Sequence, residues 1–206
     1  MRSSPLHAPR AELGSTLVEV LVAILILSIG LLGAAGMQAA SLRYAHGASA
    51  RAALTSGISS LAERMRANSS AATTAYVFDS TIYADQRTAI NDGSVQSSVT
   101  ASNCLAVTCT PAALASFDLA TWQLGLDAAM PGAAGFVQGN SQAGYLATIM
   151  WFDKSYTYDT DPKTLVKRVD KDCGTSTPTG VAQRSCCPSA ASAPDGVRCV
   201  NFTVIP

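Results

Sequence analysis

Gly14-Ser15-Thr16-Leu17-Val18-Glu19 opens onto an apolar run, Val20-Leu21-Val22-Ala23-Ile24-Leu25-Ile26-Leu27, that continues to about Met37. A run of roughly twenty mostly apolar residues, each rising about 1.5 Å along a helix, matches the roughly 30 Å hydrocarbon thickness of a bilayer. The stretch therefore reads as a helix able to span a membrane. Glu19 is the only charged residue within it. Holding a carboxylate at that depth costs on the order of 3 kcal/mol on insertion scales, so Glu19 marks a functional site that needs a cationic partner. In a plain membrane anchor the same residue would simply lie near the headgroups.

On the N-terminal side, residues 1–14 are polar, carry Arg2 and Arg10, and contain Pro5 and Pro9, which disfavour a stable helix. Basic residues before the run, with few charges immediately after it, place the N-terminus in the cytoplasm and the rest of the chain beyond the inner membrane. On the C-terminal side the helical pattern continues through Gln38-Ala39-Ala40-Ser41-Leu42-Arg43 to about Asn68. There Leu54, Ile58, Leu61 and Met65 recur at spacings of four, three and four, which puts them on one face, while Arg51, Glu63, Arg64 and Arg66 lie mostly elsewhere. The pattern predicts one long helix over residues 15–68, whose second half packs against a globular head formed by residues 69–206. Gly30, Gly33 and Gly36 recur every three residues, which either softens the helix or lets another helix approach closely.

The head reads as α+β. Tyr76-Val77-Phe78 suggests a short strand, Ile82 to Ile90 is ambiguous, Asp92-Gly93 suggests a turn, and most of residues 75–103 reads as loop. Thr110-Pro111 places a capping hydroxyl before a proline at the first helical position. A second helix is predicted from there to about Met130, carrying Leu114, Phe117, Leu119, Trp122, Leu124 and Leu126 and stopped by Pro131-Gly132. Gly144-Tyr145-Leu146-Ala147-Thr148-Ile149-Met150-Trp151-Phe152 is rich in aromatic and β-branched residues and is the clearest strand. Thr164 to Val169 and Arg198 to Val204 are its expected partners, in a small antiparallel sheet facing the helix.

The composition excludes several classes of function. With 206 residues the chain offers one modest domain beyond its anchor, and its charged content of 14% is well below that of ordinary globular proteins. Taking Arg2, Arg10 and Glu12 from 14 basic and 14 acidic residues leaves 12 and 13, a near-neutral remainder with no basic patch for nucleic acid. Beyond residue 14 the single His is His46, on the predicted long helix, so the head has no Ser/His/Asp or Cys/His arrangement. No Gly-rich phosphate loop precedes a helix, and no cofactor is implied. Asp118 and Asp127 lie nine positions apart on the second helix, roughly on one face, and read as solvated acids. Trp122 and Trp151 read as core, with surface binding as the sharper alternative.

Six cysteines, Cys104, Cys109, Cys173, Cys186, Cys187 and Cys199, all follow the long helix, which fits disulfides in an oxidising compartment. Six allow fifteen pairings. Cys104 with Cys109 is the favoured pair, closing a tight loop before the second helix, and the other four would supply two more, with the adjacent Cys186 and Cys187 each bonding elsewhere. A thiolate zinc site would want paired C-x-x-C spacing, which is missing, so no metal is expected.

The segment from Gly14 to Glu19 with its apolar helix resembles the processing site of type IV prepilins, a Gly and one further residue followed by T-L-x-E. At Ser15 that family usually has Phe. The resemblance implies that a membrane-embedded prepilin peptidase cuts between Gly14 and Ser15 and methylates the new amine of Ser15. This makes residues 1–14 a leader and residues 15–68 a methylated transmembrane and stalk helix. A secretory signal would instead be cut after a shorter apolar core. The resemblance also gives Glu19 its partner, the N-terminal ammonium of a neighbouring subunit in a filament. Either charge left alone in an apolar bundle is expensive, so pairing would set the register between subunits.

In the head, Cys104-Leu105-Ala106-Val107-Thr108-Cys109-Thr110-Pro111, then Leu114, Asp118, Trp122, Leu126, Pro131-Gly132 and the strand ending with Trp151, resemble the type IV pilus modification proteins (PilV), a group of minor pilins. Glu63-Arg64-Met65-Arg66-Ala67-Asn68 resembles that group too, and Asp118 is structural by the same resemblance. The implied role is pilus assembly, priming or modification, with no catalysis and with other major and minor pilins as partners. The implied location is the inner membrane before assembly and the pilus after it. A pseudopilin of a type II secretion system is the alternative, since it shares the processing site and the helix.

Overall fold

The computed structural model describes residues 16–71, 73–130, 132–153, 157–161, 164–167, 173 and 183–206, with backbone alone for 43, 46, 47, 157–161 and 164–167. The chain divides into two compact units, Met1–Ala48 and Ser49–Pro206. Helix α1, Leu17–Ala67, contributes to both. In the first unit it carries a 26-residue segment, Leu17–Leu42, long and apolar enough to cross a membrane. At 1.5 Å per residue that segment is about 39 Å long.

The second unit begins with the amphipathic part of α1. Leu54, Leu61 and Met65 are buried and Ile58 packs against them, whereas Arg51, Glu63 and Arg66 are exposed. The stripe expected from the sequence is the one that enters the core. Helix α4, Pro111–Ala129, lies in the same core through Leu119, Trp122 and Leu126. It starts where expected: the Thr110 hydroxyl accepts from Ala113 N at 3.2 Å and Pro111 occupies the first helical position.

The sheet has the order β1-β2-β5, antiparallel throughout, with β1 Ala134–Asn140, β2 Gly144–Phe152 and β5 Val197–Val204. Tyr145, Ala147, Ile149 and Trp151 of β2 and Val204 of β5 face α1 and α4. Phe136, Met150, Val197 and Cys199 face the other way, under a segment that includes Cys187 and Ala191. Both faces of the sheet are therefore covered. The expected helix-facing antiparallel sheet and second helix are present, and the head is α+β.

Two expectations are corrected. The strand beside β2 on its first edge is β1, not Thr164–Val169. Residues Thr164–Lys167 form β4, which pairs with β3, Thr157–Asp161, in a separate two-stranded sheet; the rest of that expected strand lies outside the described residues. Both pairings are local hairpins, and local pairing costs less loop-closure entropy than reaching back across the chain. The β1–β2 turn is set by Asn140, whose Oδ1 accepts from Gln142 N at 3.0 Å and Ala143 N at 2.8 Å. Finally, residues 83–101, read mostly as loop, form two short helices, α2 Tyr83–Asn91 and α3 Ser94–Ala101. They meet at Gly93, whose φ of 78° is the left-handed conformation glycine adopts freely. Their apolar pattern is faint because α2 buries only Tyr83 and Gln86 and α3 buries nothing. Tyr76-Val77-Phe78 contributes a single bridge, Phe78 to Val137.

Trp122 shows how tightly the layers meet. Its indole Nε1 donates to Gly57 O on α1 at 2.9 Å, and its ring lies over Gly135 of β1 so closely that a Cβ there would run into it. Gly135 is therefore a close-approach glycine, and its lack of a side chain is one reason β1 is hard to read as a strand.

Candidate processing and assembly site

Gly14 and Ser15, the expected cleavage and methylation positions, lie outside the described residues. Immediately beyond them the helix starts. Thr16 directly precedes α1, and Glu19 N lies 2.9 Å from Thr16 O and 3.4 Å from Thr16 Oγ1. Thr16 and Glu19 stand in the S/T-x-x-E spacing of a capping box, in which the hydroxyl accepts from the third helical N–H. Glu19 lies in the first turn of α1, where a carboxylate complements the positive end of the helix dipole. Thr16 belongs to the expected cleavage pattern as well, which masks its capping role in the sequence even though the spacing carries it.

Downstream, the large apolar side chains of α1 from Leu17 to Leu42 are exposed all round the helix. A Cβ added at Gly30, Gly33 or Gly36 meets nothing within 4 Å in this chain. His46 lies on α1.

In the head, residues from the end of α1 and from α4 come together. Arg64 Nη1 donates to Asp118 Oδ1 at 2.7 Å, Tyr76 Oη donates to Asp118 Oδ2 at 2.7 Å, and Asn68 Nδ2 donates to Tyr76 Oη at 3.2 Å and to Pro111 O at 2.8 Å. Asn68 and Asp118 are each 5% exposed. The cluster joins the end of α1 to the start of α4 with every buried side-chain nitrogen and oxygen partnered. Burial, and then the hydrogen bond to Asp118, push the Tyr76 hydroxyl well above its ordinary pKa. Asp118 is therefore no solvated acid, and it does not share a face with Asp127. Nine residues are about two and a half turns at 3.6 residues per turn, which puts the two on opposite sides of α4. Asp127 pairs with Arg87 of α2 at 2.7 Å and accepts from Gly132 N at 3.1 Å.

The described sulfurs form three disulfides, Cys104–Cys109, Cys173–Cys186 and Cys187–Cys199, and no cysteine is free. No thiolate remains to act as nucleophile or metal ligand. Buried Asn201 of β5 sits beside the second bridge. Its Nδ2 donates to Gln183 O at 2.8 Å and Cys186 O at 2.9 Å, and its Oδ1 accepts from Thr148 Oγ1 at 2.6 Å. Trp122 and Trp151 are both buried. Arg198 lies over the Trp151 ring, 5.6 Å from its centroid, and pairs with Asp153 at 3.1 Å. Chemically, the head is a braced, oxidised scaffold.

No curated protein and no solved structure gives a match to the chain. Residues 9–35 match the family model of the prokaryotic N-terminal methylation motif, a span that runs from the basic segment through Glu19 and well into α1. The chain thus carries, joined to a helix of membrane-spanning length and an α+β head, the N-terminal methylation motif of prepilin-type proteins, whose members are structural subunits cut by prepilin peptidase and assembled with other pilins.

Proposed function

We propose that the chain is a minor pilin of a type IV pilus, of the PilV kind. Prepilin peptidase removes residues 1–14 by cutting between Gly14 and Ser15 and methylates the Ser15 amine. The subunit waits in the inner membrane as a single pass, N-terminus cytoplasmic and head periplasmic, and then enters the fibre through α1. Glu19 pairs there with the N-terminal ammonium of an adjacent subunit, which fixes register as the helices pack. The work is assembly, priming or modification of the fibre, and no catalytic step is assigned to the head.

The observation that carries this reading is the methylation motif at residues 9–35 running directly into one continuous helix, Leu17–Ala67. What supports the PilV kind is the resemblance of two separate stretches to that group, Glu63 to Asn68 and Cys104 to Trp151. Glu19→Ala tests the assembly role. The variant is expected to be cut normally and to be strongly depleted from sheared pili on an immunoblot; equal recovery with the wild type would refute the pairing. Deleting the gene separates the settings. Loss of twitching and surface pili is expected, whereas intact pili with loss of exoprotein release would make the chain a pseudopilin.

A further inference from the structure

The three disulfides join the cysteines strictly in chain order: first to second, third to fourth, fifth to sixth. Of fifteen possible pairings this is the one that an oxidant meeting the cysteines as they emerge would make. It leaves one ambiguity, at the adjacent Cys186 and Cys187. Cys173–Cys186 and Cys187–Cys199 span 13 and 12 residues. The swapped pairs, Cys173–Cys187 and Cys186–Cys199, would span 14 and 13. Loop-closure entropy separates Cys186 from Cys187 as partners of Cys173 by only about 1.1-fold, so chain statistics do not choose between them. The fold does. Asn201 holds Cys186 O and Gln183 O, and Cys173 N donates to Cys187 O at 2.8 Å, which keeps these cysteines together at β5.

We propose that the adjacent Cys186 and Cys187 form a built-in resolving pair, so that the reaction supplying the mature head is dithiol oxidation alone, without a separate disulfide isomerase. Each bond forms when a disulfide-bearing oxidant accepts two electrons and two protons from a cysteine pair. In a chain that has first made the Cys173–Cys187 bond, and while Cys199 is still reduced, the Cys186 thiolate attacks Cys173 Sγ; the Cys173–Cys186 bond forms, the Cys173–Cys187 bond breaks, and Cys187 leaves as the thiolate. The reverse step is the same exchange, with no net oxidation. Attack on Cys187 Sγ instead would join neighbours in a strained ring. Capture of Cys187 by Cys199, in the arrangement Asn201 favours, ends the exchange. The scheme holds whether or not the chain enters a filament.

The test uses the full-length chain in detergent, reduced and unfolded in urea, then oxidised at pH 8 with glutathione disulfide, acid-quenched and mapped by peptide mass spectrometry. Cys199→Ser leaves Cys187 without its terminal partner. At the earliest quench this variant is expected to hold Cys173–Cys186 and Cys173–Cys187 within about threefold of each other, given nearly equal loop costs. After glutathione is removed and the denaturant diluted, the ratio is expected to keep moving toward Cys173–Cys186 at a rate independent of protein concentration. A single pairing from the first quench, or a mixture that stays frozen, overturns the proposal. In the wild type, adding protein disulfide isomerase is expected to change the rate of reaching the native map by less than about twofold; bonds between the Cys104/Cys109 pair and the other four that only the isomerase resolves would also overturn it.

Discussion

Residues 17–42 and residues 49–67 belong to the same helix, yet they obey different rules. In the first stretch Leu, Ile and Val occur all round the helix and are exposed. In the second, apolar residues keep to one stripe, and that stripe is buried in the head. A helix apolar on every side calls for a surrounding apolar medium, whereas a striped one calls for a single packed neighbour. The contrast shows that one continuous element can carry two addresses, lipid or helix bundle for one part and a water-facing domain for the other, with only the period of its apolar residues to mark the change.

The strongest way to break the contrast is to cut side chains of equal size from each half. Leu61→Ala removes a side chain with no exposed surface and is expected to cost the head about 2–5 kcal/mol in a denaturant melt of the detergent-solubilised chain. Leu32→Ala, made at an exposed position of the apolar half, should leave that melt within about 0.5 kcal/mol of the wild type. Similar losses from both would mean that the two halves share one core.

A smaller effect sharpens the contrast within the head. Asp118→Asn removes the charge that Arg64 and Tyr76 both address and is expected to cost about 1–3 kcal/mol. Asp127→Asn, at a carboxylate with more water around it than that of Asp118, should cost less than about 1 kcal/mol. Equal costs would put the two acids in equivalent settings and undo the brace at the end of α1.

The smallest effect is a pH dependence. Because the folded head raises the Tyr76 pKa, the protonated hydroxyl contributes stability that is fully present below its ordinary value of about 10 and is lost as pH rises toward the folded value. The wild type should therefore lose melting temperature above pH 10 more steeply than Tyr76→Phe. Parallel curves would show that the hydroxyl is not held in the cluster.

Sequence made the regular elements plain wherever a local signal was strong. The apolar run, the stripe at Leu54, Ile58, Leu61 and Met65, the Thr110-Pro111 start of α4 and the β-branched run at β2 each announce themselves within a few residues. What stayed hidden depends on partners far along the chain. β1, with Gly135 and Gly139 in seven residues, has little strand propensity and is a strand because it pairs with β2 and makes room for Trp122. Helices α2 and α3 bury too little to show a period. Arg64 and Asp118 are 54 positions apart, so neither announces the other. At the N-terminus the position was reversed, since the Gly14–Glu19 pattern reads from sequence while Gly14 and Ser15 themselves lie outside the described residues.

The central claim is that the apolar helix begins its working life at a cut in front of it. Intact mass and N-terminal sequencing of the chain recovered from cells test this most directly. The account predicts a polypeptide that starts at Ser15 with a methylated amine, and a Gly14→Ala variant that keeps its leader. A wild-type chain that still starts at Met1, or one that starts beyond the apolar run, would contradict it.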